Sequence, residues 1–215
     1  MNIKPRARRV LCFGDSNTWG YVPASGKRYP IGVRWTSLLQ EKLGDDYEII
    51  EEGLNSRTTD VDDPKHIGKN GLTYFRPCLE THDPIDLIIL MLGTNDMKER
   101  FSRTPERIAV GVENLLLSVG EFVKEEETQM PKIIVVSPPL VDEEVEEVKE
   151  KYLGAGEKSK HLGSLYEVVA KKYDCRFVNI AKLVSPSKND GYHLEPEDHK
   201  KIADYFEKLV SEMTI

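Results

Sequence analysis

Four short polar clusters, far apart in the sequence, contain side chains of the kinds that make a nucleophilic catalytic site. They occupy residues 14–17, 55–59, 93–96 and 190–193. Ser16 offers a hydroxyl, which is a weak nucleophile until a base accepts its proton. His193 is the candidate base, and Asp190 is the candidate carboxylate that orients the imidazole. Asn95 offers a side-chain amide to a developing oxyanion. Together these residue types indicate a serine hydrolase.

Apolar runs of strand length precede the first three clusters. The predicted strands are residues 10–13, 47–50, 87–92, 133–136 and 177–180. Between these strands lie segments whose apolar residues recur at helical spacing. One predicted helix begins near Trp35 and ends at Gly44, and another begins at the Thr104 cap with Pro105 in its first turn. Two further helices are predicted through residues 162–169 and 202–209. This alternation predicts an α/β fold with helices on both faces of a parallel sheet.

In an open parallel sheet, residues just past the carboxyl ends of neighbouring strands meet at one crevice. We therefore expect the polar clusters to lie together, with Gly191 providing the bend that places Asp190 and His193 on one short loop. The backbone N–H groups of Ser16 and Ser56 are the candidate partners of Asn95 in an oxyanion hole.

Residues close to the serine are candidates for substrate contacts. We name Asp15, Trp19 and Tyr21 in this role. Each has a structural alternative, since Asp15 can cap local N–H groups and the aromatic rings can pack in the core. The remaining histidines, His66, His82, His161 and His199, are expected at the surface or in loops.

Composition limits the remaining possibilities. With 215 residues, the chain is expected to form one domain spanning 1–215, and its net charge of −7 argues against nucleic acid or an anionic membrane as a partner. The longest apolar stretch, 87–92, is far shorter than the roughly 20 residues of a membrane span. The apolar run after the basic segment 1–9 is too short for a secretory signal. We therefore expect residues 1–9 to be a solvent-exposed segment that leads into the first strand. Three cysteines without such a signal favour a cytoplasmic protein.

Two segments interrupt the regular alternation. Residues 21–32 form a Gly/Pro-containing loop after the serine, and residues 140–156 form a strongly acidic stretch. The simplest interpretation of the acidic stretch is a solvated helix face or loop. Because both segments leave the crevice side of the sheet, we also consider that they shape a substrate pocket or a subunit contact.

The four clusters resemble the motif blocks of the SGNH (GDSL-type) hydrolase superfamily. Further likeness to its bacterial arylesterase and acyltransferase branch lies in residues 11–23, 33–36, 51–54, 57–59, 62–64 and 91–96. The resemblance implies a single-domain, flavodoxin-like, three-layer α/β/α sandwich with a parallel five-stranded sheet. It also implies ester hydrolysis through an acyl-serine at Ser16, with Asp190, His193 and Asn95 in the roles above, and no metal or other cofactor.

The chain departs from the pattern of this superfamily in the second motif block. Ser56 stands where the superfamily usually has the glycine whose N–H contacts the oxyanion. Serine at this position keeps the backbone N–H, but its side chain restricts the backbone conformation more than glycine does. Members of this branch often form oligomers that favour acyl transfer to alcohols, so a homo-oligomer and transfer activity are further expectations.

Three alternatives stay open at this point. A flavodoxin-like flavin-binding module would hold a phosphate in the loop after Ser16, but would leave Asp190 and His193 without a role. A metal-dependent phosphoesterase would need more converging histidine and carboxylate ligands than the clusters provide. A carbohydrate O-deacetylase would use the same machinery on a different ester.

Overall fold

A computed structural model describes residues 6–213, so residues 1–5 of the basic segment 1–9 and the last two residues of the chain lie outside the described range. Five parallel strands form one sheet in the order β2-β1-β3-β4-β5. The strands are β1 (Arg8–Gly14), β2 (Tyr47–Gly53), β3 (Leu87–Met91), β4 (Lys132–Ser137) and β5 (Arg176–Asn179). This is the flavodoxin-type order of a doubly wound sheet, and the predicted fold class is confirmed.

Within the described residues, seven α-helices accompany the sheet. They are α1 (Ser16–Trp19), α2 (Trp35–Leu43), α3 (Gly71–His82), α4 (Pro105–Glu126), α5 (Glu146–Lys151), α6 (Ala155–Lys172) and α7 (Pro196–Glu212). Helix α2 ends at Gly44 with φ 67°, and the Thr104 hydroxyl accepts a hydrogen bond from Arg107 N at the start of α4, as the sequence signals predict. Helix α3 was not among the predicted elements.

The central strands β1, β3 and β4 are covered on both faces, which explains their continuous apolar runs, whereas the edge strands β2 and β5 are only partly buried. On one face, Leu11 and Phe13 of β1 pack with residues of α3, α4 and α6. On the other, Val10 and Cys12 pack with residues of α2 and α7. The two cores fix the strand register, so Gly14, Gly53 and Met91 end side by side at one edge. None of the helices in the range 6–213 is both long and apolar enough to cross a bilayer.

Candidate active site

Ser16 lies at the first position of α1, directly beyond the carboxyl end of β1. The preceding residue, Asp15, caps this helix by accepting a hydrogen bond from Asn17 N at 2.9 Å. The turn needs glycine at position 14, because a Cβ there would lie 2.1 Å from the Thr18 hydroxyl. The tight turn holds the Ser16 hydroxyl at the sheet edge with 6% of the residue exposed.

A chain of hydrogen bonds joins the first cluster to the last. The Ser16 hydroxyl lies 2.8 Å from His193 Nε2, and His193 Nδ1 lies 2.7 Å from Asp190 Oδ2. Asp190 also accepts from the backbone N–H of His193 and of Ala24, both at 3.0 Å. Burial alone would raise the pKa of Asp190, but the hydrogen bonds from His193 and Ala24 hold it below its ordinary value. The carboxylate is therefore ionised where it contacts the imidazole.

The loop that carries Asp190 and His193 is held from several sides. Gly191 has φ 80°, and a Cβ there would lie 2.4 Å from a Val148 methyl, so the bend requires glycine. His193 O accepts from Ser187 N at 2.8 Å, and α7 begins three residues later at Pro196. The Asn17 side chain donates to Tyr192 O at 3.1 Å. Asn17 thus ties the serine helix to the histidine loop.

Asn95 lies beyond β3 with its side-chain amide fixed at both ends. Its Nδ2 donates to Arg57 O at 3.0 Å, and its Oδ1 accepts from Lys98 Nζ at 2.7 Å. Tyr152 OH lies 3.4 Å from the same oxygen. The amide orientation is therefore defined, and the second hydrogen on Nδ2 is available to a ligand.

Ser56, which like Asn95 lines the pocket, has a left-handed backbone with φ 66°. This is the conformation in which a glycine is favoured, so the serine side chain is accommodated with local strain. Within residues 6–213, neither the N–H of Ser56 nor that of Ser16 makes a hydrogen bond. Both groups are free to donate.

Buried charges connect the second and third clusters to the sheet. Arg57 donates to Gly14 O at 3.0 Å and lies over the Phe13 ring, 4.1 Å from its centroid. Asp96 accepts from Thr59 N at 3.0 Å and pairs with Arg103 at 2.8 Å. These contacts act on the backbone beside Ser56 and Asn95, and they set the relative position of the two loops.

Ser16 opens onto a pocket of about 330 Å³. The lining residues share a polar or aromatic character, and they are Ser16, Tyr21, Asn55, Ser56, Lys65, His66, Asn95, Lys98, Arg100, Lys151, Tyr152, Tyr192 and His193. Tyr21 stacks on the His193 ring at 4.2 Å between centroids. Both irregular segments thus reach the site, residues 21–32 through Tyr21 and Ala24, and residues 140–156 through Lys151 and Tyr152.

The three predicted substrate contacts fall in different places. Tyr21 lines the pocket, whereas Asp15 and Trp19 do not. The Asp15 carboxylate is occupied with capping, and burial raises its pKa. Trp19 lies under the Arg28 guanidinium, 5.2 Å from the ring centroid. The geometry supports only Tyr21 as a direct contact.

The structure corrects the expectation that His199 lies at the surface or in a loop. His199 is fully buried on α7, and its Nδ1 accepts a hydrogen bond from Trp35 N at 3.3 Å. Burial lowers its pKa to about 4. His199 is therefore a neutral core residue, whereas the sequence reading placed it at the surface or in a loop.

Three residues that contact the catalytic groups were missed by the sequence reading. Lys98 and Tyr152 hold Asn95, and the Asn17 side chain holds the histidine loop. Lys98 follows Asn95 by three residues, and this spacing was the available sequence signal. In the structure, a short 3₁₀ turn joins the two residues. Tyr152 gave none, because its approach depends on how segment 140–156 folds over the sheet edge.

Three side chains outside the active site lie close enough together to be considered as a metal site. Glu52, Cys78 and His82 place one ligand atom each within 4.8 Å of one another. Glu52 is already paired with Arg57 at 3.8 Å and with His82 at 2.9 Å. Burial raises the pKa of Cys78 to about 12, which disfavours the thiolate a metal needs. These residues serve packing and ion pairing.

Comparison with known proteins gives consistent matches. The model of the GDSL-like Lipase/Acylhydrolase family matches residues 12–201. The aryl esterase of M. Smegmatis is 38% identical, with 95% of this chain and 99% of that chain covered and a TM-score of 0.90. A carbohydrate acetylesterase from Sinorhizobium meliloti is 40% identical, with 95% and 98% covered and a TM-score of 0.90. A search of curated proteins finds no match.

Proposed function

Since the chain belongs to the GDSL-like lipase/acylhydrolase family and is a carboxylic ester hydrolase, we propose that it hydrolyses esters of short acyl groups through an acyl-serine intermediate. Ser16 is the nucleophile, His193 the general base and acid, and Asp190 the group that orients the imidazole. The N–H groups of Ser16 and Ser56 and the amide of Asn95 form the oxyanion hole.

One observation carries this proposal. The hydroxyl, imidazole and carboxylate are joined at 2.8 and 2.7 Å, and the hydroxyl faces a pocket that also contains the Asn95 amide. This arrangement has the connectivity needed to move one proton away from Ser16 while an oxyanion forms beside Asn95.

Acylation follows from these contacts. His193 Nε2 accepts the Ser16 proton as Oγ bonds to the ester carbonyl carbon, and the carbonyl oxygen becomes the tetrahedral oxyanion. Asp190 stabilises the imidazolium through Nδ1–H. The imidazolium then returns the proton to the alkoxide leaving group, and the C–O bond breaks to leave an acyl-serine and an alcohol.

Deacylation repeats the same steps with a second nucleophile. Water gives up a proton to His193 and attacks the acyl carbon, and Ser16 leaves with that proton to yield the carboxylic acid. An alcohol in place of water yields a new ester. Transfer to alcohols therefore needs no additional catalytic group, and it is part of the proposal.

The substrate class rests on pocket size and on the similar proteins. A pocket of about 330 Å³ accommodates a small acyl group together with one ring of an alcohol. The tyrosine rings in its lining suit an aryl ester, as the name of the aryl esterase suggests. The likeness to a carbohydrate acetylesterase makes acetylated sugars the second candidate.

Three coarser expectations accompany the proposal: one domain over residues 1–215, a cytoplasmic location and association into a homo-oligomer. The solution mass of the purified protein tests the last of these. A mass equal to one 24.5 kDa chain at micromolar concentration would contradict it.

A pair of serine variants tests the catalytic assignment. Ser16→Ala should reduce hydrolysis of 4-nitrophenyl acetate by about 10⁴-fold or more, because the nucleophile is removed. Ser164→Ala, on the exposed face of α6, should retain full activity. Circular dichroism establishes that both variants are folded. Substantial turnover by folded Ser16→Ala would refute the proposal.

A further inference from the structure

One side of the active-site pocket is lined by basic side chains. We call Lys65, His66, Lys98 and Arg100 the basic wall; all four line the same pocket as Ser16. Of the residues between 6 and 213 that line the pocket, none carries a carboxylate, although the whole chain has a net charge of −7. Positive charge is therefore concentrated where a substrate binds.

Asp63 assembles the basic wall from two separate loops. Its side chain is completely buried; one carboxylate oxygen is paired with Arg100, and the other accepts from Lys65 N at 3.0 Å. Asp63 O accepts from His66 N at 3.1 Å. The loop that carries Lys65 and His66 is thereby fixed beside the segment that carries Lys98 and Arg100.

The positive charge exceeds what Asp63 can balance. Lys98 is only 7% exposed, and its hydrogen bond at 2.7 Å goes to the neutral amide of Asn95. Burial and the neighbouring Arg100 lower the pKa of Lys98 to about 8 despite the opposing effect of Asp63, Asp15 and Asp96, so the site holds this charge at a cost. The Lys65 ammonium makes no ion pair within the described residues. Lys151 also lines the pocket, but it is paired with Glu147 at 2.8 Å.

We propose that the basic wall selects esters whose alcohol part carries an anionic group, a carboxylate or a phosphate. This rests on the proposed function, because a short acyl group leaves the rest of the pocket to the alcohol. The tyrosine rings around His193 then cover the body of the alcohol, and its anionic group reaches the basic wall. A concave site with one sign of charge also attracts such a substrate from solution.

Matched acetyl esters test this selectivity. The anionic probes are 4-acetoxybenzoate and 4-acetoxyphenyl phosphate, and the neutral probe of similar shape is 4-acetoxybenzamide. Each kcat/KM is divided by the rate constant for hydroxide-catalysed hydrolysis of the same ester, which removes the difference in leaving-group reactivity. We expect at least one anionic probe to exceed the neutral probe by about fivefold or more. The two anionic probes distinguish a carboxylate from a phosphate site.

Salt provides a second measurement that needs no variant. Raising the ionic strength from about 0.02 M to about 0.5 M shortens the screening length severalfold. The preference for the anionic probe should shrink towards unity, mainly through a higher KM, while KM for the neutral probe stays unchanged. A salt-independent preference would contradict an electrostatic origin.

Charge reversal locates the effect. Lys65→Glu should reduce the ratio of anionic to neutral kcat/KM by about fivefold or more. Lys171→Glu makes the same change in net charge near the end of α6, away from the pocket, and should leave the ratio as in the wild type. Equal effects of the two substitutions would overturn the assignment to the basic wall.

The outcomes separate this inference from the proposed function. If hydrolysis depends on Ser16 but anionic and neutral probes are turned over equally, the esterase assignment stands and the basic wall has no role in selection. If folded Ser16→Ala hydrolyses the neutral probe normally, the proposed function itself fails, and the selectivity argument fails with it.

Discussion

Lys98 Nζ donates a 2.7 Å hydrogen bond to Asn95 Oδ1, and this contact helps to orient the amide of a residue that lines the pocket. An ammonium on the oxygen of an amide also polarises its N–H groups and makes them stronger donors. The relationship therefore connects a buried charge to the proposed oxyanion hole.

Replacing Lys98 by Met should lower kcat by about tenfold or more with a smaller change in KM, because Asn95 keeps its place but loses its charged partner. Steady-state kinetics on a neutral acetate ester measures this. Lys171→Met is the matched control at the surface. An unchanged kcat would mean that the Lys98 ammonium does not strengthen the Asn95 amide as a donor.

The same contact predicts a pH effect. The pKa of Lys98 is about 8, lowered by burial and Arg100 and raised in part by Asp63, Asp15 and Asp96. As the pH rises through 8 the ammonium loses its proton, and kcat should fall. Lys98→Met should lack this alkaline decline in its pH profile. A decline of equal size in the variant would assign it to another group.

Asp190→Asn should lower kcat by about 10³–10⁴-fold, since a neutral amide can hold the wrong tautomer of His193 and does not stabilise the imidazolium. Binding should change less, and kcat and KM measured separately distinguish the two effects. Asp204→Asn, in an exposed ion pair with Lys42, is the control. A modest loss in Asp190→Asn would indicate that another group orients the imidazole.

Asn17→Leu should reduce both stability and activity by small amounts. It removes the 3.1 Å hydrogen bond to Tyr192 O, which is worth about 1 kcal/mol, and frees the loop that carries His193. Chemical denaturation measures the first effect, and kcat, which we expect to fall severalfold, measures the second. Wild-type values for both would show that the contact does not position His193.

His199 predicts how stability depends on pH. Its pKa is about 4 in the folded chain against an ordinary value of 6.5, chiefly because of burial. As the pH falls, His199 therefore takes up a proton at a higher pH in the unfolded chain than in the folded chain. About 3 kcal/mol of folding stability that is present above pH 6.5 is lost as the pH falls towards 4. Unfolding midpoints at several pH values test this. His199→Gln should weaken the dependence, whereas His161→Gln, on the surface of α6, should not.

Features set by short stretches of sequence were predicted well. Gly44 and the Thr104 cap mark helix ends through local backbone chemistry, and the apolar runs gave all five strands. Helix α3 was missed because Pro77 lies within it, although Phe75, Cys78 and Leu79 follow one another at helical spacing on its buried face. Within the predicted helix 162–169, Val168 is apolar but 67% exposed, whereas the neighbouring Tyr166 is fully buried.

For the candidate site, the strand ends predicted which clusters meet, and the structure brings Ser16, Asp190, His193 and Asn95 together. The burial of His199 was also predictable, because Ile202 and Phe206 follow it at helical spacing on the inward face of α7. The contacts of Lys98 and Tyr152 with Asn95 were not, since they depend on the path of long loops that no local signal specifies.

Covalent labelling tests the central claim most directly. The protein is treated with diethyl 4-nitrophenyl phosphate, which transfers its phosphoryl group to an activated serine, and the product is analysed by intact mass and peptide mapping. We expect one diethylphosphoryl group on the peptide that contains Ser16, in proportion to the activity lost, and no label on His193→Ala. Inactivation with the label on another residue, or equal labelling of Ser16→Ala, would contradict the account.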